Sequence, residues 1–521
     1  MDGSNIPTEA KSAIVCGASG TIKDQYITGL RLHLITASLF MCLFLTNLEI
    51  PIVNTSAFSI TREIGGLDKV FWIITAYMLG YVGVLVISAK FSDLFGRKSS
   101  LILAILIFMI FSGACGASQT IVQLIIFRAF QGIGGAGNYS LCAAIILELV
   151  PSEKYAKYTS SVAIVYALSL LLGPIFGGAI SESSTWRWVF LLNIPPVALA
   201  GIILIIALPN RFPNHHAPRD ERRNFSLQDY IREVIRKVDM LGSSMLLVAQ
   251  CALWPLWKKQ TKSMKWKSPF TIVMLVISGV AWVVFLAWER RVTLASSQVE
   301  PVFPWRFVHN RVWIGMLLNS IFLGGTWFVT IFQLPQRFQV VNGLSPLQAG
   351  IRFIPFTAAA PVGSALSSAV VGFALLSTLS ASLTITAAQY GYQIIAGFGC
   401  GINISLLILM TPFTVEERDK AVAMGAVAQF RVMGGSIFLA IATSVSNGFI
   451  RSHLRGLLDD GQLPSVLYSA AAVPMLPPDA QIIVRTVFSE SYNLQMKILA
   501  GCAGGQVLAS FLMWQKEQVI I

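Results

Sequence analysis

The chain has 521 residues, of which 55% are hydrophobic and 12% charged, with a formal net charge of +13. A soluble domain carries about 25% charged residues, so this balance, with a mean hydropathy of +0.68, excludes an ordinary soluble enzyme and indicates an all-α polytopic membrane protein. The basic excess fits cytoplasmic loops facing anionic lipid better than nucleic acid.

Residues 1–34 read as a cytoplasmic N-terminal tail, because 1–30 are polar and lack a signal-peptide core. A first span over about 35–58 carries Glu49, Pro51 and Asn54. An ionisable group at membrane depth is costly and normally faces a cavity or a partner; the alternative is an interfacial residue on a helix that stops early. Ser88 to Leu101 is an island of charge between the apolar runs 70–87 and 101–117. Each run is about long enough to cross a core of roughly 30 Å at 1.5 Å per residue. Lys90, Asp93, Arg97 and Lys98 therefore sit on a tight loop, and Gly96 permits its sharp turn. The cations place that loop on the cytoplasmic side, as they would in any generic positive-inside turn.

The fourth span, about 122–149, carries Arg128 and Gln131, three apart and so on one helix face. The glycines from Gly132 to Gly137 let another helix approach closely. The alternative for Arg128 is snorkelling to the interface. The fifth span, about 159–180, ends in Gly173, Pro174, Gly177 and Gly178, where proline kinks the helix and glycines leave a flat face. Trp186-Arg187-Trp188 reads as an aromatic belt before a sixth span over 189–208. Residues 35–208 thus form an N-terminal bundle.

Residues 209–239 form a central cytoplasmic loop, whose part 226–238 has the pattern of an amphipathic surface helix. Two linker spans occupy 240–290. The lysines between them, Lys258 to Lys267, fall outside on this topology, against the charge rule. A C-terminal bundle covers 312–514. No charged residue lies between Arg352 and Glu416. Spans are expected there over 349–372 and 390–412, with 373–389 too short and too rich in Ser and Thr to assign. A further helix carries Arg431 before Gly434 and Gly435. Residues 447–496 read as a large polar outer loop, and 497–514 as a short last span. The seven cysteines form no CxxC or Cys/His cluster and read as small core residues, with no metal site.

Several of these stretches resemble the signatures of the major facilitator superfamily, fourteen-span drug:proton antiporter branch. Asp93, Gly96, Arg97 and Lys98 match its loop signature, with Ala89 where glycine is usual and Leu94 where many members have arginine. Arg128-Ala-Phe-Gln-Gly132 is similar to the fourth-span signature, whose arginine is tied to proton coupling. Gly173-Pro-Ile-Phe-Gly-Gly178 resembles the antiporter signature typical of exporters. Leu48-Glu-Ile-Pro-Ile-Val-Asn54 is similar to the first-span signature, with Glu49 in place of aspartate, and Trp186 to Pro195 is also typical of the branch. Resemblance covers nearly the whole chain beyond residue 30 and is strongest to fungal multidrug and toxin efflux pumps.

The resemblance implies two pseudo-symmetric six-helix bundles plus two extra central helices, rocking about a central cavity. Compared with the family, Val371 to Leu376 looks like a junction lacking about one helix, giving about 13–14 spans with one damaged or missing near 371–390. The implied function is proton-coupled export of a drug-like compound or secondary metabolite. Glu49 and Arg128 are the proton-coupling candidates. Gln131 and Asn54 are candidates for the substrate cavity, and Lys90, Asp93, Gly96, Arg97 and Lys98 for a gating loop. No cofactor is implied beyond a proton gradient, and no enzymatic chemistry. The partners are a small molecule, protons and the lipid bilayer, with a monomeric chain in the plasma membrane or a vacuolar or vesicle membrane. Alternatives are an importer such as a siderophore carrier, a non-transporting sensor, or a defective truncated paralogue.

Overall fold

A computed structural model describes residues 26–66, 69–210, 212, 239–253, 269–295, 299, 301–359, 366–380, 385–416, 419–458, 462–468 and 470–514. Helices α1 (Gly29–Ile64), α2 (Val70–Phe95), α3 (Arg97–Ala117), α4 (Ile121–Glu148), α5 (Tyr155–Ser183) and the broken pair α6 (Trp188–Leu191) and α7 (Ile194–Ala207) make the first bundle. The linker helices are α8 (Met240–Cys251) and α9 (Pro269–Leu294). The second bundle comprises α10 (Arg306–His309), α11 (Arg311–Val340), α12 (Pro346–Ala359), α13 (Leu366–Leu376), α14 (Ala387–Thr414), α15 (Lys420–Leu454), α16 (Gln462–Tyr468) and α17 (Pro478–Leu512). Among the described residues nine helical segments are long and apolar enough to cross a membrane. α4 and α17, of 28 and 35 residues, are long enough too but more polar. We call the end bearing the α2–α3 connection the basic end, and the opposite one the far end.

Glycines set how closely the helices meet. A Cβ on Gly80 of α2 would lie 2.2 Å from the Ala129 carbonyl oxygen of α4, and one on Gly132 of α4 2.2 Å from that of Tyr77. In the second bundle, a Cβ on Gly397 of α14 would meet the Phe356 carbonyl oxygen of α12 at 2.1 Å. Likewise Gly173 of α5 lies against Pro51 of α1, and Gly324 of α11 against the Arg431 carbonyl of α15. The same small-residue device therefore joins equivalent helix pairs in both bundles. By this equivalence α12 and α13 are the counterparts of α2 and α3.

That equivalence corrects the expected span over 349–372. The described parts of α12 and α13 have 14 and 11 residues, against 26 and 21 for α2 and α3. From Pro346 to Leu376 the chain has 31 residues for both together, about 23 Å each at 1.5 Å per residue, short of a core of roughly 30 Å. Both hang from the far end: α12 follows the far end of α11, and beyond α13 the Ser380 carbonyl accepts from Arg337 Nη2 at 3.0 Å. Phe356, near the other end of α12, packs on Trp327 in the middle of α11, with ring centroids 5.6 Å apart. The shortfall near 371–390 is thus shared by two half-length helices; no single span is lost whole. Two small-residue seams, Gly372 on Ala396 and Gly399 on Ala369, hold α13 in its register on α14.

A second correction concerns 447–496. α15 continues to Leu454 and α17 begins at Pro478, so most of the expected loop is helix, and the last span is far longer than 497–514. Some of its polar residues are paired inside the bundle. Ser491 and Ser446 hydroxyls lie 3.0 Å apart, and Asn493 Nδ2 donates to the Leu379 carbonyl at 2.7 Å. The first span likewise begins at Gly29, ahead of 35. The amphipathic stretch 226–238 and the lysine run 258–267 lie outside the described residues.

Candidate functional site

Glu49 sits at the middle of α1 and Arg128 one-third along α4, and both are fully buried. Arg128 Nη1 donates to Glu49 Oε2 at 2.6 Å and to Gln131 Oε1 at 2.7 Å. Gln131 Nε2 donates to Glu49 Oε1 at 2.7 Å and to Ser112 Oγ of α3 at 2.7 Å. Asn193, between α6 and α7, donates to Glu49 Oε1 at 2.5 Å. The Arg128 guanidinium lies 4.2 Å from the centroid of the Tyr77 ring, and its Nε donates to the Ile73 carbonyl at 3.1 Å. Snorkelling of Arg128 is therefore ruled out, and so is an interfacial Glu49. A carboxylate accepts and cannot donate, and both Glu49 oxygens face donor N–H groups. A proton on it would turn one of these contacts into a donor facing a donor. Residues of α1, α3, α4 and the α6–α7 break thus share one buried hydrogen-bond network.

The antiporter-like glycines of α5 pack against α1 just beyond Glu49, from Pro51 to Thr55. A Cβ on Gly177 would come within 2.0 Å of Thr55 Oγ1 and 2.5 Å of the Ile52 carbonyl oxygen. Ser56 Oγ donates to the Gly177 carbonyl at 3.1 Å. Gly173 and Gly178 are buried and Pro174 half-buried, so the segment keeps α5 on the half of α1 beyond Glu49. Asn54 is exposed and stands apart from the ion-pair network.

At the basic end the expected loop shrinks to Gly96: Lys90 and Asp93 lie on the last turns of α2 and Arg97 and Lys98 on the first turn of α3. Gly96 adopts φ 90°, a left-handed conformation that favours glycine. Arg97 pairs with Asp93, donates to Ser92 Oγ at 2.5 Å and grips Glu148 at the end of α4 through Nε and Nη2, at 3.0 and 2.8 Å. Lys98 Nζ donates to the carbonyls of Ile205 and Leu208 at 2.6 and 2.7 Å, serving the orphan acceptors at the end of α7. Lys90 is buried, and its charge acts on Glu289 of α9. Of the belt residues, Trp186 is buried and Trp188 exposed, while Arg187 caps α3 through the Gly116 and Ser118 carbonyls at 2.8 and 2.7 Å.

Sequence reasoning missed Ser112, Asn193 and Glu148. Each is a polar residue in or beside an apolar span, which is the signal that marked Glu49. Nothing in the chain order says that they meet.

Comparison with known proteins agrees with this architecture. The model of the Major Facilitator Superfamily matches residues 32–439. An MFS-type transporter FPY5 of Fusarium mangiferae is 37% identical, over 97% of this chain and 87% of the relative. The efflux pump mlcE of Penicillium citrinum is 28% identical over 83% of this chain and 80% of its own. The multidrug resistance protein 3 of Bacillus subtilis is 27% identical over 81% and 82%. Among solved structures, a bacterial homologue of the human lysosomal transporter Spinster superposes with a TM-score of 0.57 at 16% identity, covering 94% of this chain and 100% of that one. The chain belongs to the Major Facilitator Superfamily: it is a multi-pass membrane transporter of small molecules, not an enzyme.

Proposed function

We propose that the protein is a proton-coupled exporter of a drug-like compound or secondary metabolite, working by alternating access as a monomer, with its basic end in the cytoplasm of a cell whose plasma membrane it spans. The observation that carries this reading is the sealed Glu49–Arg128–Gln131–Asn193 network. A carboxyl buried at membrane depth against one arginine is the group this reading makes the proton carrier. The glycine seam of α1 and α5 supports the export direction, and so do relatives named as efflux pumps and a multidrug resistance protein.

The test uses purified protein in liposomes with an imposed pH gradient and a panel of fluorescent drug-like dyes. The intact protein concentrates a dye against its gradient, and an uncoupler stops it. Glu49→Gln abolishes the pH dependence. Because removing one member of a buried pair costs about 3–5 kcal/mol, the double variant Glu49→Gln/Arg128→Gln keeps the protein foldable and is equally uncoupled. Concentrative, uncoupler-sensitive export by either variant removes Glu49 as the proton carrier. A second reading, a sensor that binds without transporting, is favoured by the half-length α12 and α13. It predicts dye binding without flux in the intact protein.

A further inference from the structure

Arg431 lies on α15 at the seam between the bundles and plays no part in the ion-pair network. It is 3% exposed. Its Nη2 donates to Tyr139 Oη of α4 at 2.7 Å, and its Nε has no acceptor. Its guanidinium carbon lies 5.8 and 5.7 Å from the ring centroids of Tyr139 and Tyr166. Tyr166 stacks on Trp327 of α11, with centroids 5.6 Å apart, and accepts its Nε1–H at 3.0 Å. Among the described residues no carboxylate forms an ion pair with Arg431. A buried cation without an anion is costly, and a phenol is a weak substitute. Arg337, the other buried arginine of the second bundle, differs in leaning on backbone carbonyls of Ser489 and Ser380 at 3.4 and 3.0 Å.

Resting on the transporter reading above, we propose that Arg431 is the anion anchor of the substrate site, and that the substrate is a planar aromatic acid. The guanidinium fork suits a carboxylate or an acidic phenol or enol. The aromatic cluster of Tyr139, Tyr166 and Trp327, the last two stacked on each other, would take a flat ring as a further member once the bundles part. Both bundles contribute, α4 and α5 from the first and α11 and α15 from the second, so the occupant touches both halves that alternating access must move. The site also adjoins the proton site through a run of rings. Tyr139 meets Tyr81 edge-on at 6.2 Å between centroids, Tyr81 stacks on Tyr77 at 5.9 Å, and Tyr77 underlies Arg128. An anion drawing Arg431 away from Tyr139 would disturb the end of that run. Exchange of a proton for an organic anion is then a local event on contiguous side chains.

The test is equilibrium binding to the full chain in lipid nanodiscs, with no gradient, using labelled 2-naphthoate against the isosteric neutral 2-naphthamide. The intact protein binds naphthoate at least about tenfold more tightly than the amide, the difference expected of a charge-assisted hydrogen-bonded pair. Arg431→Gln loses that preference, and Arg431→Lys, which keeps the charge without the fork, retains part of it. Should the Arg431 variants not fold, the anion-over-amide ratio of the intact protein still decides. Equal binding of the two probes, or binding of neither at millimolar concentration, overturns the proposal. So does undiminished preference in Arg431→Gln. Proton-driven export of a neutral or cationic dye alongside such a result would leave the exporter reading standing and remove only the aromatic acid.

Discussion

At the scale of single residues the chain divides its glycines by task. Gly177 has no room for a methyl group, since a Cβ there would lie 2.0 Å from Thr55 Oγ1 and 2.5 Å from the backbone oxygen of Ile52. Backbone cannot rotate away as a side chain can, so α1 and α5 must part. Gly177→Ala is therefore expected to cost about 1–3 kcal/mol, the range for overpacking a tight contact, seen as a lowered Tm in detergent and a loss of transport. Gly448 of α15 is the control, because nothing lies within 4 Å of a Cβ there. Gly448→Ala should be neutral or gain up to about 1 kcal/mol from helix propensity. Equal Tm losses in both variants would show that the α1–α5 seam is not the tight contact described. Ala89 answers in the same terms. It stands where related loops have glycine, and it is fully buried against Ala144 and Ala421, so a methyl group is accommodated where the partners are themselves alanines.

At the scale of elements, composition revealed most helices and concealed two kinds. Spans with continuous apolar sequence, such as α3, α7 and α9, are plain in the chain. α17 was hidden because its inward face is polar: Ser489, Ser491 and Gln495 are buried, and a hydropathy reading counts them as loop. α12 and α13 were hidden for the opposite reason, since an unbroken apolar run carries no mark of where a helix stops. The facing of Glu49 and Arg128, 79 positions apart, is marked by no spacing in the chain; the resemblance alone names the two together. The neutral residues that complete the site, Ser112 and Asn193, carry only a weaker form of the signal that marks Glu49, a polar side chain without charge in or beside an apolar span. The half-length pair makes a distinct expectation. Ser345, before α12, and Ser377, after α13, lie at the same end of the bundle. Ser345→Cys and Ser377→Cys should both react with a membrane-impermeant thiol reagent from one side of the membrane and neither from the other. The described cysteines, mostly buried, give a low background. Labelling from opposite sides would mean that the segment crosses as one span.

At the scale of the whole molecule the bundles touch at both ends and in the middle. Near the far end a Cβ on Gly350 of α12 would lie 3.2 Å from Pro174 Cβ of α5. At the centre Arg431 and Trp327 meet Tyr139 and Tyr166. At the basic end Tyr155 packs on Phe413 with centroids 5.6 Å apart, Val86 N–H donates to Gln429 Oε1 at 3.3 Å, and Ala89 packs on Ala421. A transporter that exposes its centre to each side in turn must break one set of end contacts while keeping the other. The basic-end set is the one that can be clamped by design, because it includes a contact of two small side chains, Ala89 of α2 on Ala421 of α15. The Arg97–Glu148 grip lies wholly within the first bundle and so stiffens one face of the seam without tying it to the other. A reversible clamp across that seam should then stop the cycle. In the double variant Ala89→Cys/Ala421→Cys, oxidation is expected to reduce dye flux at least about tenfold, the residual reflecting uncrosslinked protein, and a reductant to restore it. Each single variant should be indifferent to both reagents. Full flux in a protein shown by mass spectrometry to be crosslinked would mean that α2 and α15 stay together through the cycle, and that opening occurs at some other contact between the bundles.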